Sequence, residues 1–95
     1  MVLVQPLRSA AARLLLSQIL ATGSIRFTGH TLREFRKDCI TVERAYMVLR
    51  GGVVREAEWE QGEWRHQVHA GMDVLVLTFE TETNAVVITG WRRTR

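Results

Sequence analysis

Residues 63–80, EWRHQVHAGMDVLVLTFE, decide how the chain folds. Two runs of β-type residues flank a break at Ala70-Gly71, and so short a connection joins only antiparallel neighbours. The first run alternates polar and apolar residues, so one of its faces meets a core. The second, Val74 to Phe79, is apolar on both parities and reads as a central strand.

Working outward, the same pattern continues on both sides. Val53 to Trp59 alternates with charge and is expected at an edge. Ala85 to Trp91 follows the turn residues Thr81-Glu82-Thr83-Asn84 and is expected beside the central strand. The four runs predict a four-stranded antiparallel meander.

Upstream of Val53 the period changes to that of helices. Pro6 can open a first helix that Thr22-Gly23-Ser24 closes. On it, Ser9, Arg13 and Ser17 make a polar stripe, and Ala11, Leu14, Leu15, Ile19 and Leu20 gather toward the other side. A short segment Ile25-Arg26-Phe27 leads to a second helix, whose Leu32, Phe35 and Cys39 share one apolar face. Thr41 caps a third helix with Val42, Ala45, Tyr46 and Leu49 as its buried stripe, and Gly51-Gly52 is expected to end it in a left-handed cap. Helices first and strands after define an α+β domain with its N-terminal helices packed on the sheet.

A chain of 95 residues makes one domain with one core. We take 1–95 as that domain, with 1–24 as an N-terminal helical extension of a core spanning 25–95. The apolar stretch near the start is interrupted by Arg13, Ser17 and Gln18, too soon for the ~20 apolar residues that span a bilayer. Membrane insertion is not expected. The helix packs on the domain in this reading, with a homodimer contact or a targeting peptide as its alternatives.

The net charge is +3, no acidic residue precedes Glu34, and the end Trp91-Arg92-Arg93-Thr94-Arg95 is basic. Such a distribution favours RNA or an acidic protein as partner over a neutral metabolite. The single cysteine, Cys39, excludes an internal disulfide framework and points to a reducing, cytoplasmic setting. Its apolar neighbours suggest packing.

Two of the three histidines lie in EWRHQVHAG. Strand alternation puts Trp64, His66 and Val68 on one side and Arg65, Gln67 and His69 on the other. His66 and His69 therefore point apart and cannot converge on one metal ion, so neither a metal site nor a cofactor is expected. With Val68 toward the helices, His66 is half-buried, and Arg65, Gln67 and His69 form a row on the open face at ~7 Å spacing. A titratable group beside a cation is what metal-free RNA cleavage requires, whereas the alternative is a polar solvent face. Asp38, Glu43, Glu56 and Glu58 read as surface charges.

From His30 to Trp91, about two thirds of the chain, the sequence resembles small domains related to the BrnT and MqsR toxins of the RelE/ParE-like group. The resemblance rests on HTLREF from His30, on Ile40-Thr41 leading into a helix, on LRGG after it, on RHQV, and on Ile88-Thr89-Gly90-Trp91. Glu34 and Asp38 stand where that family often has arginines, and His66 stands where it has an aromatic residue. The resemblance implies a RelE/BrnT-like fold, an antitoxin-type protein partner, and metal-independent cleavage of RNA through attack by its 2′-hydroxyl. Arg65, His69, His66 and His30 are then the catalytic candidates, and Gln67, Arg92, Arg93 and Arg95 the nucleic-acid contacts. A non-catalytic protein- or RNA-binding module of the same fold is the alternative.

Overall fold

The computed structural model describes residues 3–93. Its elements are α1 (Ser9–Thr22), β1 (Ser24–Phe27), α2 (Gly29–Lys37), α3 (Val42–Gly51), β2 (Val53–Val54), β3 (Glu58–Glu60), β4 (Glu63–Ala70), β5 (Asp73–Phe79) and β6 (Asn84–Arg92). Every residue of β5 is buried, as the two-sided apolar run requires of a central strand. It pairs antiparallel with β4 and β6, and the sheet runs β1-β6-β5-β4-β2 with β3 also on β4.

The α+β class holds, but the sheet is mixed and six-stranded among the described residues, not a four-stranded antiparallel meander. The addition is β1, which pairs parallel to β6 with Ile25 opposite Ala85 and Phe27 opposite Val87. Its four residues are too few to show a period, and its partner lies some sixty positions away. The expected edge strand Val53–Trp59 is divided. Between Val54, opposite Val68, and Glu58, opposite Arg65, the residues Arg55, Glu56 and Ala57 face only His66 and Gln67. One residue is in excess, which is a β-bulge.

That bulge serves two distant groups. His66 Nδ1 donates to the Arg55 carbonyl at 2.8 Å. Glu56 Oε1 accepts from the Ser9 backbone N–H at 2.7 Å, supplying α1 with the N-terminal partner that Arg8 at the cap position does not provide. Glu56 is thus a helix cap and not a free surface charge. The backbone N–H of Ser9 is the main reason its carboxyl lies below the ordinary value.

The helices keep their places but not all their expected faces. Helix α1 starts at Ser9, not at Pro6, and buries Ala12, Leu16 and Ile19, while Leu14 is 67% exposed. Arg13 turns inward and donates to the carbonyls of Leu49 at 2.7 Å and Gly52 at 3.1 Å, satisfying the end of α3. Helix α2 buries Thr31 and Phe35; Leu32 and Cys39 are exposed, and Cys39 takes φ 57° after the helix, so it is not a packing residue. Thr31 lies inward because its hydroxyl donates to the Val87 carbonyl at 2.7 Å. In α3 the cap is Thr41 as expected, but the buried residues are Ala45, Val48 and Leu49, with Val42 exposed and Tyr46 half-buried. Gly52 is extended at φ −77°, not left-handed. A Cβ there would lie 2.5 Å from the Val48 carbonyl oxygen and 2.8 Å from Val68 Cγ1, so α3 and β4 approach each other over a glycine.

All three helices share one buried cluster with Val54, Val68, Leu75, Leu77, Phe79, Ala85 and Val87. Helix α1 is part of this core, although its residues lie in the segment expected to be an extension. Val74, Val76 and Val86 have the opposite parity and are buried outside that cluster. Val74 and Val76 have the half-buried Gln67, His69, Thr89 and Trp91 as neighbours on that face, and Val86 lies between Thr78 and Arg26. No described helix is long and apolar enough to cross a membrane.

Candidate functional site

Alternation along β4 sends the two histidines to opposite faces, as expected. Val68 is fully buried with the helices, and so is His66, which is more enclosed than half-buried. Its ring meets the edge of Phe79 at 5.6 Å, and its Nε2 is buried without a partner. Nδ1 donates to the Arg55 carbonyl, and the buried Nε2 faces neither solvent nor a hydrogen-bond partner. His66 is placed to hold the bulge and out of reach of a substrate.

On the other face, Gln67 and His69 join directly: His69 Nε2 lies 2.7 Å from Gln67 Oε1. An amide oxygen only accepts, so Nε2 carries the proton and Nδ1 is the basic nitrogen. Burial first, then the positive charges of Arg55 and Arg93, hold the imidazole below its ordinary pKa. The ring is therefore neutral at pH 7 and able to accept a proton. Arg55, in the bulge, is a residue that the sequence did not single out. It continues the ladder after Val54, its N–H donating to the Gln67 carbonyl at 2.8 Å, and its nearness to His69 follows from how the outer strand pairs with β4, which the sequence does not give.

Arg65 belongs to the same row, but its charge is engaged. Its side chain is 14% exposed, its Nε pairs with Glu63 at 2.9 Å, and it sits opposite Glu58 of β3. Arg92 lies on the helix side of the sheet, opposite Asp73, and binds that carboxylate at 2.8 Å. Arg44 of α3 binds the same carboxylate at 2.6 Å. Asp73 is 3% exposed; burial alone would raise its pKa, but hydrogen bonds from Arg92 and Arg44, with their charges, outweigh that and lower it. Arg93 is exposed and donates to the Gly71 carbonyl at the β4–β5 turn. His30 is exposed in the first turn of α2, which packs on β6 from the helix layer, away from the row on the opposite face. Arg95 lies outside the described residues.

The structure thus brings His69, Gln67 and Arg93 together, adds Arg55, and leaves His66, His30 and Arg92 elsewhere. Beside the row a hollow of about 180 Å³ is lined by Glu58, Glu60, Arg65, Gln67, Val76, Thr89 and Trp91. A larger apolar groove of about 490 Å³ lies along α1, lined in part by Leu3, Val4, Leu7, Ala11 and Leu15. It presents no group suited to proton transfer apart from Glu82 at its rim.

Comparison with family models, with curated proteins and with solved structures returns no match to the chain.

Proposed function

We propose that the chain is a toxin-type endoribonuclease with a RelE/BrnT-like fold, acting in the cytoplasm and held in check by an antitoxin-type protein partner. The observation that carries this reading is His69: a neutral imidazole, oriented by Gln67, with Arg55 and Arg93 close enough to depress its pKa. Its Nδ1 takes the proton of an RNA 2′-hydroxyl, and the 2′-oxygen attacks the adjacent phosphorus. The two guanidiniums stabilise the charge that gathers on the phosphorane. The bond from phosphorus to the 5′-oxygen breaks, and the departing oxygen takes a proton back from His69. A 2′,3′-cyclic phosphate and a 5′-hydroxyl are left. Burial and the Glu63 pair withdraw Arg65 from phosphate binding, and the enclosure of His66 withdraws it from chemistry.

A non-catalytic RNA- or protein-binding module is the second reading, favoured by the carboxylates of Glu58, Glu60 and Glu63 gathered around Arg65. One experiment separates the two. Labelled single-stranded RNA is incubated with the protein in excess EDTA, and its ends are mapped. Cyclic-phosphate ends that His69→Asn reduces by ~10² or more support the nuclease. Binding that weakens steeply with salt, without cleavage, supports the module, because neutralised phosphates release counterions. The absence of both binding and cleavage overturns the nuclease and the RNA-binding module, and leaves the module only as a protein-binding one.

A further inference from the structure

We infer that the hollow between β3 and β6 is a nucleobase pocket that selects guanine, placed so that the base beside the scissile phosphate is read while His69 acts. The inference takes its RNA substrate from the nuclease reading and adds the base.

Across the sheet, Gln67, Val76 and Thr89 lie in one row, and His69, Val74 and Trp91 in the next. Val76, 6% exposed, makes a flat apolar floor between them. Trp91 rises on one side, while Glu58 and Glu60 of β3 close the other. A hollow of about 180 Å³ is well below the ~300–1,000 Å³ of drug-sized sites and suits a single planar heterocycle. Flat aromatic walls bind unstacked RNA bases by stacking, and polar groups at their rims read the pairing edge.

The rim chemistry points to one base. Arg65 also lines the hollow but is paired with Glu63, which leaves the carboxylates of Glu58 and Glu60, groups that accept hydrogen bonds and donate none. Guanine alone among the four standard bases offers two adjacent N–H donors, N1–H and the N2 amino group, on its pairing edge, and such a pair meets one carboxylate in two parallel bonds. Adenine and cytosine each present one amino group beside an acceptor, and uracil one imide N–H between two acceptors. Gln67 supplies the complementary group: its Oε1 is taken by His69, so the amide NH₂ is the donor left to offer to guanine O6. The same side chain would then touch both the base and the proton-transfer group.

The charges divide accordingly. Arg55, whose backbone N–H donates to the Gln67 carbonyl, and Arg93, on the Gly71 carbonyl at the β4–β5 turn, lie toward the His69 end, where a phosphate belongs. Glu58 and Glu60 of β3 lie toward Arg65 at the other end, where a phosphate would be repelled.

The test titrates the ¹⁵N-labelled full chain with the 3′-monophosphates of guanosine, adenosine, cytidine and uridine, following the indole N–H signal assigned to Trp91 through Trp91→Phe. The guanosine nucleotide should bind at least tenfold tighter than the other three and shift that signal. The double variant Glu58→Gln/Glu60→Gln changes two exposed residues and should fold normally by circular dichroism, yet lose the preference. Equal binding of all four nucleotides, a preference that survives the double variant, or a guanosine shift that spares Trp91 each overturns the proposal. The two readings fail separately: selective guanosine binding without RNA cleavage sinks the nuclease, and cleavage without preference at guanine sinks the pocket.

Discussion

His66 and His69 are three positions apart and differ in almost every physical respect. His66 is fully enclosed, so His66→Ala removes the Nδ1 bond to Arg55 and leaves a cavity against Phe79. A loss of about 2–4 kcal/mol is expected in denaturant titration. Any fall in activity should track unfolding. His69 is half-buried with a lowered pKa, so folding is harder when its proton is bound. The unfolded chain binds that proton near the ordinary value of 6.5 and the folded chain only below it. Stability should therefore be complete above that pH and decline as pH falls toward the lowered folded value. In His69→Asn this decline should be absent, a difference that melting temperatures across pH 4.5–7.5 will measure. A variant that declines as the native chain does would show that His69 is not the group responsible. The faces of these two residues were legible from alternation alone. The role of Arg55 was not, because its nearness to His69 depends on which residues of β4 the outer strand pairs with, and that register is set by a distant partner.

At the scale of elements, two adjacent glycines give opposite predictions. Gly51 ends α3 with open space where a Cβ would be, so Gly51→Ala should raise stability by about 0.5–1 kcal/mol through a smaller loss of backbone entropy. Gly52 has its would-be Cβ 2.5 Å from the Val48 oxygen and 2.9 Å from the His69 oxygen. Backbone atoms cannot swing aside as a side chain can, so Gly52→Ala should destabilise by about 1–3 kcal/mol. Thermal melts of both variants decide the matter, and equal effects would contradict the close approach of α3 to β4. The sequence marked Gly51-Gly52 as a helix end correctly. It suggested a left-handed turn because that is the commonest use of glycine there, whereas the actual need is for room, and room depends on an element met later in the chain. The first helix shows the same division. Its apolar residues wrap around far enough that two faces compete, and Arg13 decides between them by reaching the last carbonyls of α3.

At the scale of the molecule, Asp73 ties three elements together, accepting from Arg44 of α3 and Arg92 of β6 while standing at the start of β5. Asp73→Asn keeps the shape and weakens both bonds, so a loss of about 1–3 kcal/mol at neutral pH is expected. The folded pKa is below the ordinary 3.8, so this contribution is present above that pH and is lost as pH falls through the lowered value. The gap between native chain and variant in acid titrations followed by circular dichroism should accordingly be constant down to about pH 4 and narrow only below it. A gap that closes by pH 5 would mean that another carboxylate holds the junction. By itself the sequence determined the α+β class, the β4–β5–β6 meander, the central place of β5 and the opposed histidines, because periodicity and short turns are local and depend on no distant partner. Only the tertiary structure decided that β1 joins the sheet in parallel, that Glu56 caps α1, that Asp73 gathers two arginines and that Glu63 takes up Arg65. Each of these is a contact between residues whose meeting is set by the packed layers, apart from the Glu63–Arg65 pair, whose partners are neighbours but whose pairing depends on the burial around them.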